Sequence, residues 1–231
     1  MTSYKHIFFD LDHTLWDFNT NCRLTLDELH NKYAFAELGF SQQEFYTVYK
    51  EINDKMWEGY HKGTITKEEV RTKRFEYTFS RLGHKKNTIP SGLDEEFLVL
   101  CPAKGQVFPF AHEVLDYLTG KGYIMHIITN GFRETQQIKL STSNLSDYFT
   151  YVIESDLCGF MKPDKRIFDY ALQLSNASAK ESIMIGDDLH ADIVGARKAG
   201  LDQVFVNRNN SQHEEIITYE IDCLSKLKGI F

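Results

Sequence analysis

From Gly105 to its end the chain alternates between stretches of helical period and short apolar runs, and nothing else in the sequence restricts the fold as much. The expected helices cover 110–121, 132–142, 164–175 and 191–199, and the expected strands between them cover 124–130, 151–156, 182–188 and 203–207. A helix between successive strands makes those strands parallel, with right-handed crossovers. The expected class is therefore α/β, with a doubly wound parallel sheet. The tail, 218–231, reads as a short strand and a short helix. One further apolar run lies far upstream, from His6 to Asp12. It is nearly continuous, as a strand buried on both faces requires, and it ends in carboxylates.

Between that first strand and Gly105 the period is helical. Leu26, Leu29, Tyr33 and Ala36 share one helical face, and Gly39 is the expected stop. Ser41 with Glu44 forms a capping box, and Phe40 with Phe45 forms a hydrophobic staple. The stripe Phe45, Tyr49, Ile52, Met56 follows. The device recurs with Thr66 and Glu69, stapled by Ile65 and Val70, ahead of Phe75, Phe79, Leu82 and the stop at Gly83. A shorter helix is expected over 93–101. Arg71 and Arg74 lie on a helix rich in Glu and Lys and are expected on a solvated face. The expected organisation is a core from 1–15 and 103–231, with a helical unit, 16–102, inserted after the first strand.

The formal net charge of −7 disfavours a nucleic-acid polymer as partner, because polyanions recruit basic surfaces. No window is apolar enough to span a bilayer, and the N-terminal run is broken by aspartates. The cytoplasm is the expected compartment. Cys22, Cys101, Cys158 and Cys223 are scattered without a paired spacing, so free thiols are expected.

Parallel sheets of this kind bind ligands beyond the carboxyl ends of their strands, at the point where strand order reverses. The first strand delivers Asp10 and Asp12 to that rim. The second delivers Thr129 and Asn130, followed by Gly131. The third leads to Lys162, and the fourth delivers Asp187 and Asp188, with Asp192 one turn on. Gathered carboxylates repel, and a divalent cation relieves the cost. Oxygen ligands without His or Cys suit Mg²⁺. Lys162 and Thr129 then suit phosphate oxygens, as a point charge and a hydrogen-bond donor. Asn130 reads equally as a phosphate ligand or as a loop-fixing residue, and Asp188 as a metal ligand or a supporting acid. Trp16 and Phe18 either stack on a base or pack the hinge. His13 and His190 read as polar loop residues near the site.

FFDLDHTLW, IITNG, GFMKPDKRIF and MIGDDLHADIVGARKAG together resemble the four motifs of the haloacid dehalogenase-like hydrolases, in order and over nearly the whole chain. The resemblance implies Asp10 as nucleophile and Asp12 as general acid/base. It implies Thr129 and Lys162 as phosphate ligands. It also implies Mg²⁺ held by Asp10, the main-chain carbonyl of Asp12, and Asp187, with Asp192 in support. The inserted block resembles the family's α-helical cap of the C1 type, where specificity would reside. The segments DLDHTLWDFNTN and GTITKEEVRTKRF resemble the pyrimidine 5′-nucleotidase branch. His13 stands where the family often has Asp or Gly, and Lys165 where Pro often follows KPD. The implied partner is a small-molecule phosphate monoester, met neither on a nucleic-acid polymer nor at a membrane. A sugar-phosphate phosphatase, a phosphomutase, a 2-haloacid dehalogenase and a non-catalytic phosphate-binding protein are the alternatives. Dehalogenases of the family lack the second aspartate, so Asp12 weighs against that one.

Overall fold

The protein, a computed structural model, is described over residues 4–231, so the first three residues of the expected 1–15 segment lie outside the described residues. The chain forms two compact units, one of Met1–Phe18 with Gly105–Phe231 and one of Asn19–Lys104.

The first unit is built on six strands: β1 (His6–Phe9), β2 (Ile124–Thr129), β3 (Phe149–Glu154), β4 (Ser182–Gly186), β5 (Asp202–Val206) and β6 (Tyr219–Ile221). They stand in the order β3-β2-β1-β4-β5-β6, and every pairing is parallel. The chain steps outward from β1 to β3, returns to the other side of β1 at β4, and steps outward again. That reversal leaves a crevice beyond the ends of β1 and β4. The α/β class and parallel sheet expected from the alternation are what the structure has.

Ile153, Ile128, Phe8 and Met184, from four adjacent strands, meet Ile167 and Phe168 of the helix Lys165–Leu174 in one fully buried cluster. Burying each such side chain is worth roughly 1.5–3 kcal/mol, so the four adjacent strands β3, β2, β1 and β4 are held together by side chains that each of them contributes. All four cysteines are free thiols, and no described helix is long and apolar enough to cross a membrane.

Several boundaries differ from the sequence expectation, each for a local reason. β1 stops at Phe9, not Asp12, because Leu15 and Trp16 both turn back to donate to the Leu11 carbonyl, at 3.0 and 2.8 Å. His13 adopts a left-handed φ of 62° in that loop. β3 begins at Phe149 rather than 151, and its end passes directly into the turn Ser155–Cys158. The expected helix over 191–199 starts instead as a wide π-turn, Leu189–Val194, in which the Asp188 carbonyl accepts from both Asp192 and Ile193.

The α-helices of the second unit are Phe18–Lys32, whose first residue still counts with the first unit, Gln42–His61, Lys67–Thr72, Arg74–Arg81 and Leu93–Leu100. Both capping boxes are present, and the Phe40 and Phe45 rings stack with centroids 5.5 Å apart. The first stripe fails beyond Leu29: Ala34 takes a left-handed φ of 50°, so Phe35 is buried and Ala36 is exposed. The helix opened by Thr66 breaks at Lys73. Asn53, not Ile52, is the fully buried neighbour on the second helix. Arg74 departs most from expectation. It is buried at 5% exposure, donates to Asn53 Oδ1 at 3.2 Å, and lies over the Phe97 ring at 5.0 Å. An arginine carries enough apolar stem and planar face to fill such a place, which a count of charged neighbours along the helix misses.

His126 of β2 is fully buried, stacked on Phe8 at 4.8 Å, with its Nε2 3.1 Å from Nδ1 of His6. Burial, then the neighbouring His6, lowers its pKa to about 4. The unfolded chain therefore binds the proton that the folded chain refuses. Stability from this group is complete above pH 6.5 and is lost as pH falls toward 4, by on the order of 2–3 kcal/mol. His126→Phe keeps the ring and cannot titrate. In urea unfolding at pH 7 and pH 4.5, the variant should gain on wild type at the lower pH by about 2 kcal/mol; an unchanged gap would remove His126 as an acid-labile element.

Candidate active site

The rim beyond β1 and β4 holds Asp10, Asp187 and Asp192, each offering a carboxylate oxygen within 4.8 Å of the others. Asp10 remains in the ladder through its N–H, which donates to the Ile185 carbonyl at 2.9 Å, so the sheet fixes the backbone from which its side chain projects. Asp192 reaches the cluster because the wide turn over Leu189–Val194 folds its side chain back over Gly186. A Cβ at Gly186 would collide with that carboxylate, so glycine is what lets the turn lie so close to the strand.

Lys162 is the only cation in contact with these acids among the described residues. Its buried Nζ donates to Asp10 Oδ1 at 2.6 Å, Asp192 Oδ1 at 2.6 Å and the Ile128 carbonyl at 2.8 Å. An ammonium has three donors, and all three are committed. Its direct partners here are two carboxylates and a carbonyl, and its charge lies at the rim beside Asp10. Burial alone would lower its pKa, but Asp10 and Asp192 outweigh that and raise it. The lysine stays charged. Three carboxylates around one ammonium leave negative charge uncompensated. Burial, with the charges of Asp10 and Asp192, raises Asp187 well above the carboxylate range, and burial takes Asp192 to about 7 against the pull of Lys162. Asp10 is raised as well, by burial opposed by Lys162.

Asp12 has a separate environment. Lys139 Nζ bonds both its oxygens, at 2.7 and 2.8 Å, and Gln136 Nε2 donates to Oδ2 at 2.9 Å. Burial would raise its pKa, but the Lys139 charge and these hydrogen bonds lower it. Thr129 Oγ1 accepts from Gln136 Nε2 at 2.7 Å and from Gly131 N–H at 3.0 Å.

Asn130 donates from Nδ2 to the Lys162 carbonyl at 2.9 Å and accepts the Lys162 N–H on Oδ1 at 2.8 Å. These bonds tie the loop bearing Lys162 to the end of β2. Asp188 is exposed and caps its own turn, accepting from His190 and Ala191 N–H at 2.8 and 2.7 Å, so it stands apart from the acid cluster. Trp16 is fully buried beneath the Lys139 ammonium, 4.6 Å from its ring centroid, and is not available to stack on a base. Phe18 is half-buried, tilted against His13 at 5.1 Å.

Sequence reasoning missed four participants. Thr14 donates to Asp187 Oδ1 at 2.9 Å. Arg208 donates to the carbonyls of His13 and Thr14 at 2.6 and 2.8 Å and clamps the loop after β1, lying over Phe108 at 3.7 Å. Gln136 and Lys139 complete the set. The spacing of these last two on one face of the helix Arg133–Thr142, just after TNG, was a usable signal.

Residues 4–200 match the haloacid dehalogenase-like hydrolase family, and the chain belongs to it. Pyrimidine 5′-nucleotidase PynA of Streptococcus pneumoniae is 32% identical, covering 96% of each chain. Pyrimidine 5′-nucleotidase YjjG of Escherichia coli is 33% identical, covering 97% of this chain and 96% of its own. The crystal structure of YfnB from Bacillus subtilis, bound to magnesium, superposes with a TM-score of 0.85 at 30% identity, covering 99% of this chain and 98% of that one.

The cluster itself fits a hard divalent cation. Its donors are all carboxylate oxygens, and it carries more negative charge than Lys162 neutralises. Both oxygens of Asp192 are engaged, by Lys162 and by the Asp188 N–H, whereas Asp187 accepts only from Thr14 among the described residues. Asp10 and Asp187 are thus the better placed ligands. Because ligation requires the raised carboxylates to lose their protons, Mg²⁺ should raise the melting temperature by several degrees, and more at pH 8 than at pH 5.5. Asp187→Asn should abolish the increment in thermal unfolding. A shift independent of pH, or retained in that variant, would place the cation elsewhere.

Proposed function

We propose that the protein is a Mg²⁺-dependent phosphatase acting through an aspartyl-phosphate, with pyrimidine nucleoside 5′-monophosphates as its preferred substrates. The observation that carries the reaction type is the partition of two carboxylates only two residues apart. Asp10 is fixed against Lys162, and Asp12 is held in a different hydrogen-bond set by Lys139 and Gln136. The nucleotide preference rests on similarity to the two pyrimidine 5′-nucleotidases, each across nearly the whole chain.

In the first step an Asp10 carboxylate oxygen bonds to phosphorus, the bond from phosphorus to the leaving oxygen breaks, and that oxygen takes from Asp12 a proton that the substrate, entering as its monoanion, has passed to the Asp12 carboxylate. In the second, Asp12 takes a proton from water, the water oxygen bonds to phosphorus, and the Asp10–phosphorus linkage breaks to release phosphate. Thr129 donates to a phosphoryl oxygen. Lys162 orients Asp10 and holds positive charge beside it, and Asn130 holds the Lys162 loop. Mg²⁺, held by Asp10, the Asp12 carbonyl and Asp187, would neutralise charge on the phosphoryl oxygens. Asp192 supports Lys162, and Asp188 supports the turn. The inserted helical unit serves as the cap that sets leaving-group choice.

Phosphate release from a panel of nucleoside and sugar monophosphates tests this. Release should be greatest with pyrimidine nucleoside monophosphates, vanish in EDTA, return with Mg²⁺, and fall to background in Asp10→Asn. Preference for sugar phosphates would discard the nucleotidase assignment and keep the chemistry. Release undiminished in Asp10→Asn would discard the chemistry.

A further inference from the structure

The polar chain that begins at Lys139 has a direction. Lys139 lies with its side chain 9% exposed, its ammonium over the buried Trp16 ring, and it bonds both oxygens of Asp12. Gln136, fully buried one turn earlier on the same helix face, places Nε2 between Asp12 Oδ2 and Thr129 Oγ1, while its Oε1 has no hydrogen-bond partner among the described residues. A flipped amide would set Oε1 against the Asp12 carboxylate, oxygen to oxygen, so the charge on Asp12 dictates which way the amide faces. Gly131 makes the room, because a Cβ there would collide with the Gln136 amide.

The consequence falls on Thr129. Its oxygen already accepts from Gln136 Nε2 and from Gly131 N–H, and both of those groups can only donate. Its hydroxyl hydrogen is therefore excluded from both neighbours and takes no acceptor among the described residues. It is left to be given to a ligand oxygen.

We propose that Gln136 and Lys139 are positioning residues of the phosphoryl-transfer site: Lys139 fixes the Asp12 carboxylate, Asp12 fixes the Gln136 amide, and the amide makes Thr129 a donor toward the phosphate. This rests on the phosphatase reading given above. The chain links the acid/base group and the phosphate ligand through one glutamine, so neither can be reoriented alone.

A double-mutant cycle on phosphate release tests it. Gln136→Glu keeps the shape but offers an acceptor where a donor stood, so the Thr129 hydrogen turns away from the phosphate. Thr129→Val in the wild-type background should lower kcat/KM roughly a hundredfold, as removal of an oriented donor does. In the Gln136→Glu background the same substitution should cost less than about threefold, because the donor is already silenced. Lys139→Met should lower kcat, and Lys139→Arg should recover most of the loss by keeping a charged donor pair on Asp12. Melting curves verify folding, and the Gln136 cycle carries the test if Lys139→Met melts early. Equal cost of Thr129→Val in both backgrounds, with Asp10-dependent release intact in wild type, overturns this inference alone. Absence of Asp10-dependent release from wild type overturns the phosphatase reading and this inference with it.

Discussion

Lys162 makes the end of the sheet possible. Asp10, Asp187 and Asp192 are gathered where burial strips their hydration, and their mutual repulsion has one ammonium set against it among the described residues. Removing one partner from such a buried arrangement leaves an uncompensated charge, typically worth several kcal/mol. The rest of the unit serves that contact. The reversal of strand order brings β1 beside β4, the wide turn returns Asp192, Gly186 gives it space, and Asn130 pins the Lys162 loop at the end of β2. The charge left over after Lys162 is what a divalent cation would offset there.

The second organising contact is Lys139 with Asp12. Two acids on one strand end start from the same chemistry, and their surroundings separate them. Asp10 is raised by burial and restrained by Lys162, and Asp12 is lowered by Lys139 and Gln136. In the proposed mechanism, acid/base work and nucleophilic work thereby fall to different oxygens before a substrate arrives. The loop that makes this separation, with both Leu15 and Trp16 hydrogen-bonded to Leu11, is also what ends β1 early.

Much of this was legible in the residues. Alternation of period specified the parallel sheet, and the acids at strand ends specified the rim. Ser41 and Thr66 opened helices where their boxes placed them. What was illegible depends on tertiary contact. No local pattern tells that Ala34 turns left-handed, that Arg74 goes inward to meet Asn53 and Phe97, or that the Lys162 donors are fully committed. Thr14 and Arg208 act through a strand neighbour and through backbone carbonyls nearly two hundred residues away in sequence, at |i−j| of 173 for Thr14 to Asp187 and 195 for Arg208 to His13. Spacing along the chain carries no trace of such partners. Gln136 and Lys139 were the exception, since a buried polar pair at helical spacing beside a strand exit could have been singled out.

The central claim is that Asp10 becomes covalently phosphorylated. An acyl phosphate is reduced by borohydride to an alcohol, whereas a free carboxylate is not, so rapid-quenched turnover followed by reduction and peptide mass spectrometry reads the site directly. The account predicts homoserine at position 10, formed only when substrate and Mg²⁺ are present. Homoserine at Asp12, Asp187 or Asp192 instead, or full turnover with no reduced residue at any quench time, would contradict it.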